Sequence, residues 1–222
     1  MFKSKTRPIV LPQSEHARLA GLLAYQWGNT NFDRPAINFD SFVKGVAVHD
    51  RGYDVLDNAP IDGVSLTTWL SIMRQSLLRV CDDMTTNIVC WMHVRRLLAL
   101  ASSPERDKLR QMADEMLNDA INQLGIEHDV FVWADSITNF CDAIAFHYGF
   151  DTPKQRSMDI CYKVGSMERV SVQYWLKADG LIQVDPWPFK VDSISGFVMG
   201  YQEEGYPDRL EPVLLPFSIE QP

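Results

Sequence analysis

Two hydrophobic rhythms follow one another along this chain, and their order limits the fold more than any other feature. Up to about residue 151, apolar residues recur at i, i+3, i+4 and i+7, the period of a helix with one buried face. From Thr152 onward the runs DICYKV, RVSVQYWLK, GLIQVD, SISGFVMGY and VLLPFSI are short, β-branched or aromatic, and separated by Gly, Pro or Asp. Helices followed by strands predict an α+β fold by segregation: a helical bundle with an all-helical core over 1–151, then a small antiparallel meander of about five strands over 152–222. The strands are too few and short to bury both faces alone, so the two parts are expected to form one structural unit.

The helix boundaries follow from local chemistry. After an extended segment at Ile9 to Leu11, a helix runs from Gln13 to Trp27 and stops at Gly28, with His16, Leu19, Ala20, Leu23 and Trp27 facing inward. A second helix ends in His49-Asp50, and Gly52 is placed to leave it with positive φ. Asp54 to Val64, with Pro60 and Gly63, reads as a loop, and further helices span Leu66 to Val80 and Asp83 to Leu100. Ser103 caps and Pro104 opens a charged helix that Gly125 closes after Leu124; the last helix runs from Glu127 to Tyr148.

The 222 residues are 46% hydrophobic, enough for a real core, and the net charge of −8 argues against nucleic-acid or acidic-membrane partners. No apolar stretch approaches a membrane span and no signal-like segment opens the chain, so a cytoplasmic protein is expected. Cys81, Cys90, Cys141 and Cys161 have no C-x-x-C spacing and fit reduced, buried thiols.

Three of the five histidines, His16, His49 and His93, fall on or beside inward helix faces among apolar residues. One such histidine is ordinarily a core residue bonded to a carbonyl; three on successive helices beside a His-Asp pair point toward a shared ligand set. Asp142 shares a stripe with Asp135, Thr138 and Asn139 that reads equally as a ligand-bearing or a solvated face. His128 and His147 read as solvated or capping residues. Asp185-Pro186-Trp187-Pro188-Phe189 cannot be interior strand, because two prolines remove ladder donors; it either packs the sheet on the helices or covers a pocket.

Gln13-x-x-His16-Ala17, His49-Asp50-x-Gly52-Tyr53, Met92-His93 with Arg95-Arg96, the helix around Cys141-Asp142 and the D-P-W-P-F run occur in an order that resembles the HD-domain superfamily of metal-dependent phosphohydrolases. More closely, the chain is similar to an uncharacterised HD-like family of mostly bacterial proteins. The resemblance implies His16, His49, Asp50 and Asp142 as metal ligands, with His93 as a further ligand or a partner to one. It implies one or two divalent transition ions (Mn, Fe, Zn or Ni) that activate water toward a phosphorylated small-molecule substrate. Many members carry a lysine soon after the His-Asp pair where this chain has Tyr53, so Arg51, Arg95 or Arg96 would supply the positive charge. Asp50, Arg51, Tyr53 and Arg96 are the catalytic candidates. A di-iron oxygenase of the same superfamily and an inactive metal- or ligand-binding regulator are the alternatives, and oligomeric state stays open.

Overall fold

The computed structural model describes residues 1–59, 63–151, 153–161, 168–177 and 180–222. Pro60, the boundary residue Thr152 and the Tyr162 to Val164 end of DICYKV lie outside the described residues. The helices are α1 (Gln13–Gln26), α2 (Phe39–Ala47), α3 (Leu66–Leu78), α4 (Met84–Leu98), α5 (Pro104–Leu124) and α6 (His128–Phe150), with a short 3-10 helix at Tyr53–Leu56. The strands are β1 (Phe2–Lys3), β2 (Ile9–Leu11), β3 (Lys154–Cys161), β4 (Arg169–Leu176), β5 (Leu181–Asp185), β6 (Ser193–Gln202) and β7 (Pro212–Glu220).

Local signals place the helix ends. Ser65, Asp83 and Ser103 each accept a hydrogen bond from the backbone N–H three residues on, satisfying a donor that the first turn leaves open. Gly125 and Gly28 take φ of +64° and +104°, where a side chain would be strained.

The expected small antiparallel sheet after an all-helical bundle is overturned. One seven-stranded sheet in the order β1-β2-β6-β7-β5-β4-β3 joins both ends of the chain, and β5 runs parallel to β7. Two causes can be named. Ile9-Val10-Leu11, fully buried, pairs with β6 and brings the N-terminus into the sheet. The prolines after Asp185 prevent a tight return beside β5, so the chain detours past α1 and re-enters as β6 on the far side of β7. Phe189, 1% exposed, anchors that detour by bridging to Trp27, and its ring meets the indole edge-on at 6.2 Å.

The core is therefore shared rather than all-helical. Leu19 and Leu23 of α1, Ile137, Phe140 and Ile144 of α6, and the inward Val172, Tyr174, Ile182, Val184 and Ile219 of the sheet form one cluster. A second cluster fills the space between α3, α4 and α5. All four cysteines are free, and no described helix is long and apolar enough to cross a membrane.

Candidate metal centre

Three helices and one turn converge between the two clusters. His16 lies one turn into α1, His93 near the middle of α4 and Asp142 in α6, while His49 and Asp50 follow α2. The second helix ends at Ala47, short of the His49-Asp50 end that its pattern predicts, and i→i−3 bonds from the N–H groups of Val48, His49, Arg51 and Tyr53 carry the chain through a tight turn. That turn turns both neighbouring side chains to one point, which a continuing helix would have set about 100° apart. Gly21 lets α1 approach: a Cβ there would stand 2.5 Å from that of Ala47.

Gly52 plays a different part from the one its sequence position predicts. Its φ is −85°, open to any residue. What excludes a side chain is α3, since a Cβ would meet the Ser76 hydroxyl at 2.0 Å and the Ile72 carbonyl at 2.7 Å.

The donor atoms form a compact set. His16 Nε2 is 3.1 Å from Asp142 Oδ1 and 3.4 Å from Asp50 Oδ2; His49 Nε2 is 3.5 Å and 3.6 Å from the same two oxygens. Corners of a tetrahedron with ~2.1 Å bonds to a central ion lie ~3.4 Å apart, so these four nitrogen-to-oxygen spacings are compatible with a divalent cation; the donor atoms that close on one another are those of His16, His49 and Asp142, and those of His49, Asp50 and His93. His49 Nδ1 lies 2.6 Å from the Val46 carbonyl, which can only accept; the proton is on Nδ1 and the lone pair of Nε2 faces the cluster. That Nε2, fully buried, has no hydrogen-bond partner. A buried acceptor beside two buried carboxylates calls for a positive charge between them.

Without an ion a proton serves instead. Burial would lower the His49 pKa, but Asp50 and Asp142 overcome it and push it up to about 9. Burial would raise Asp50, yet His49, His93 and His16 hold it down at about 2. Asp142 is likewise held well below the carboxylate range, its burial outweighed by His49 and His16.

His93 belongs to a second group, with His49 and Asp50, whose donor atoms could hold a metal. Its Nδ1 accepts from Arg96 Nη2 at 3.0 Å, and a guanidinium can only donate. The ring proton is then on Nε2, which donates to Asp50 Oδ1 at 3.1 Å. Burial and the neighbouring His49 keep this imidazole below its usual pKa, in keeping with a neutral ring.

The remaining candidates separate. Asp50 borders a cleft of about 220 Å³, with Gln13, Arg51 and Arg79 among its walls. Arg51 gives Nε to the Ser76 carbonyl and Nη1 to Asn87, while its buried Nη2 has no partner. The Tyr53 hydroxyl accepts from Trp69 Nε1 at 2.8 Å, and burial, reinforced by Asp50, raises its pKa so that it keeps its proton. Arg95 is directed away to an ion pair with Asp114. Arg96 lies behind His93 and Asp142, bonded also to Asp135 and Asn139. Trp187 and Phe189 sit at the Trp27 end of α1, ~16 Å along the helix from His16, and so do not cover this cleft.

Sequence reasoning missed two supports. Asp57 accepts from the N–H groups of Gln13 and Ser14, fastening the start of α1 beside the His49-Asp50 turn. Asp135 and Asn139, read as an ambiguous stripe, grip Arg96; their i, i+4, i+7 spacing with Asp142 was the available signal.

Residues 2–68 match the model of a family described as a protein of unknown function, DUF3891, a stretch that holds His16, His49 and Asp50 and ends before α4 and α6. No curated protein and no solved structure matches the chain.

Proposed function

We propose that the chain is a metal-dependent hydrolase acting on a phosphorylated small molecule. The observation that carries this reading is the convergence of His16 Nε2, His49 Nε2, Asp50 Oδ2 and Asp142 Oδ1, each imidazole nitrogen lying 3.1 to 3.6 Å from the carboxylate oxygens. Their order along the chain, a histidine, a His-Asp pair and a distant aspartate, resembles that of the HD superfamily and supports the same chemistry. Two imidazoles and two carboxylates suit Mn, Fe, Zn or Ni, and such an ion supplies Lewis acidity toward water and a phosphoryl oxygen.

The protein's own groups divide the remaining work. His93 holds Asp50 Oδ1, leaving Oδ2 for the ion. The Val46 carbonyl fixes the His49 ring and keeps its lone pair on the side of the cluster. Arg51 lines the cleft beside Asp50 and supplies positive charge to its wall where lysine is missing. Tyr53 retains its hydroxyl proton and takes the Trp69 N–H, outside the residues that line the cleft.

Elemental analysis of protein purified without chelator or added metal tests the reading, followed by a screen of phosphorylated small molecules with the metal found. One ion per chain and phosphate release that stops on chelation is the expected result. Protein that takes up no divalent ion ends the proposal, and two irons per chain with visible colour would move it to the oxygenase class.

A further inference from the structure

Arg96 sits in surroundings of an unusual kind for an arginine. Four acceptors of three chemical types surround its guanidinium: the Asp135 carboxylate at 3.2 Å, the Asn139 amide oxygen at 2.8 Å, Asp142 Oδ2 at 3.5 Å and His93 Nδ1 at 3.0 Å. Two carboxylates, an amide oxygen and an imidazole nitrogen are the groups that ligate a divalent ion. Asp142 joins this set to the first, because its Oδ1 faces His16 and His49 while its Oδ2 faces Arg96. His93 joins them as well, with Nδ1 toward Arg96 and Nε2 toward Asp50.

We propose that Arg96 is a tethered cation that keeps a second metal out by holding His93 away from the second candidate donor group, that of His49, Asp50 and His93, so that the centre takes one ion and no more. This rests on the metal reading above. The guanidinium acts in two ways. Its fixed charge neutralises Asp135 and the outer oxygen of Asp142, so a second divalent ion finds its ligands occupied. Its donation to His93 Nδ1 also locks the ring as the Nε2–H tautomer, which withholds His93 from coordination and orients Asp50 through one oxygen. Arg96 is thus a positioning residue: it reaches the ion only through His93 and Asp142. A lysine cannot take its place fully, because one ammonium cannot present a planar fork to a carboxylate, an amide and an imidazole at once.

The test compares wild type, Arg96→Ala and Arg96→Lys, each stripped of metal, dialysed against Mn²⁺ or Zn²⁺ and analysed for ions bound per chain. Wild type is expected to saturate at one ion. Arg96→Ala is expected either to bind two, or to bind one with affinity reduced ~10- to 100-fold, the range for losing an outer partner of a ligand, and restored by a few millimolar guanidinium chloride. Arg96→Lys should stay at one ion with intermediate affinity. Nitrogen NMR of the metal-free wild type reads the His93 tautomer and needs no variant to fold; the Nε2–H form is expected. Two ions in wild type, an Nδ1–H His93, or an alanine variant that binds one ion as wild type does would overturn the role of Arg96 while leaving the metal reading intact. A wild type that binds no ion would instead remove the reading on which it rests.

Discussion

Replacing Asp50 by asparagine separates a metal ligand from a structural carboxylate, because the shape stays and a full charge goes. Asp50 is 9% exposed and engages three histidines, with Oδ1 taking the His93 N–H and Oδ2 set 3.4 Å from His16 Nε2 and 3.6 Å from His49 Nε2. In the metal-free protein its pKa is held down at about 2 against an ordinary 3.8, which corresponds to about 2 kcal/mol of stability at neutral pH. That contribution is present above pH 3.8 and fades as pH falls through 2, so the metal-free variant should lose up to this amount. Metal binding should lose more. Removing an outer partner of a ligand costs ~10- to 100-fold in affinity, so deleting a charged ligand should cost more than ~100-fold, or about 3 kcal/mol. Metal per chain, measured on wild type and Asp50→Asn purified side by side without chelator, should fall from near one to near zero, while denaturant melts show a smaller loss. Equal, substoichiometric metal in both proteins would refute the reasoning and return the His49-Asp50 pair to a structural role.

Other perturbations probe separate parts of the argument. His49, whose pKa rises from 6.5 to about 9 on folding, stabilises the metal-free protein fully below pH 6.5 and loses that contribution as pH climbs through 9. Melting temperature of chelated protein should therefore decline across this window while metal affinity increases, since the ion displaces a proton; a chelated protein whose stability rises with pH would contradict this. Gly52→Ala should destabilise by ~1–3 kcal/mol through the clash with Ser76 and Ile72, and an unchanged melt would show that α3 can give way. Phe189→Ala should cost ~3–5 kcal/mol in a denaturant titration yet leave metal content per folded chain unaltered, since the seam it fills lies at the Trp27 end of α1. Metal loss in that variant would mean that the seam positions the centre.

Wherever the controlling chemistry is local, the sequence was sufficient by itself. Ser103, Pro104 and Gly125 bound α5 as read, because a cap reaches only to backbone groups three or four residues away. The inward placement of His16 and His93 followed from helical periodicity, whereas His49 and Asp50 reach the same point through the turn that follows α2. Tertiary structure decided whatever depends on a distant partner. Nothing within Ile9-Val10-Leu11 specifies β6 as its neighbour, and nothing in β5 specifies a parallel β7, so the large mixed sheet was invisible. Gly52 was noticed for the wrong reason, since its constraint is the surface of α3 and not its own φ. Asp135 and Asn139 stayed ambiguous for the same cause: a polar stripe reads alike whether it faces water or a guanidinium from another helix. Local signals fix where elements begin and end, whereas charges and strand edges acquire a role only when the chain supplies their complement from far away.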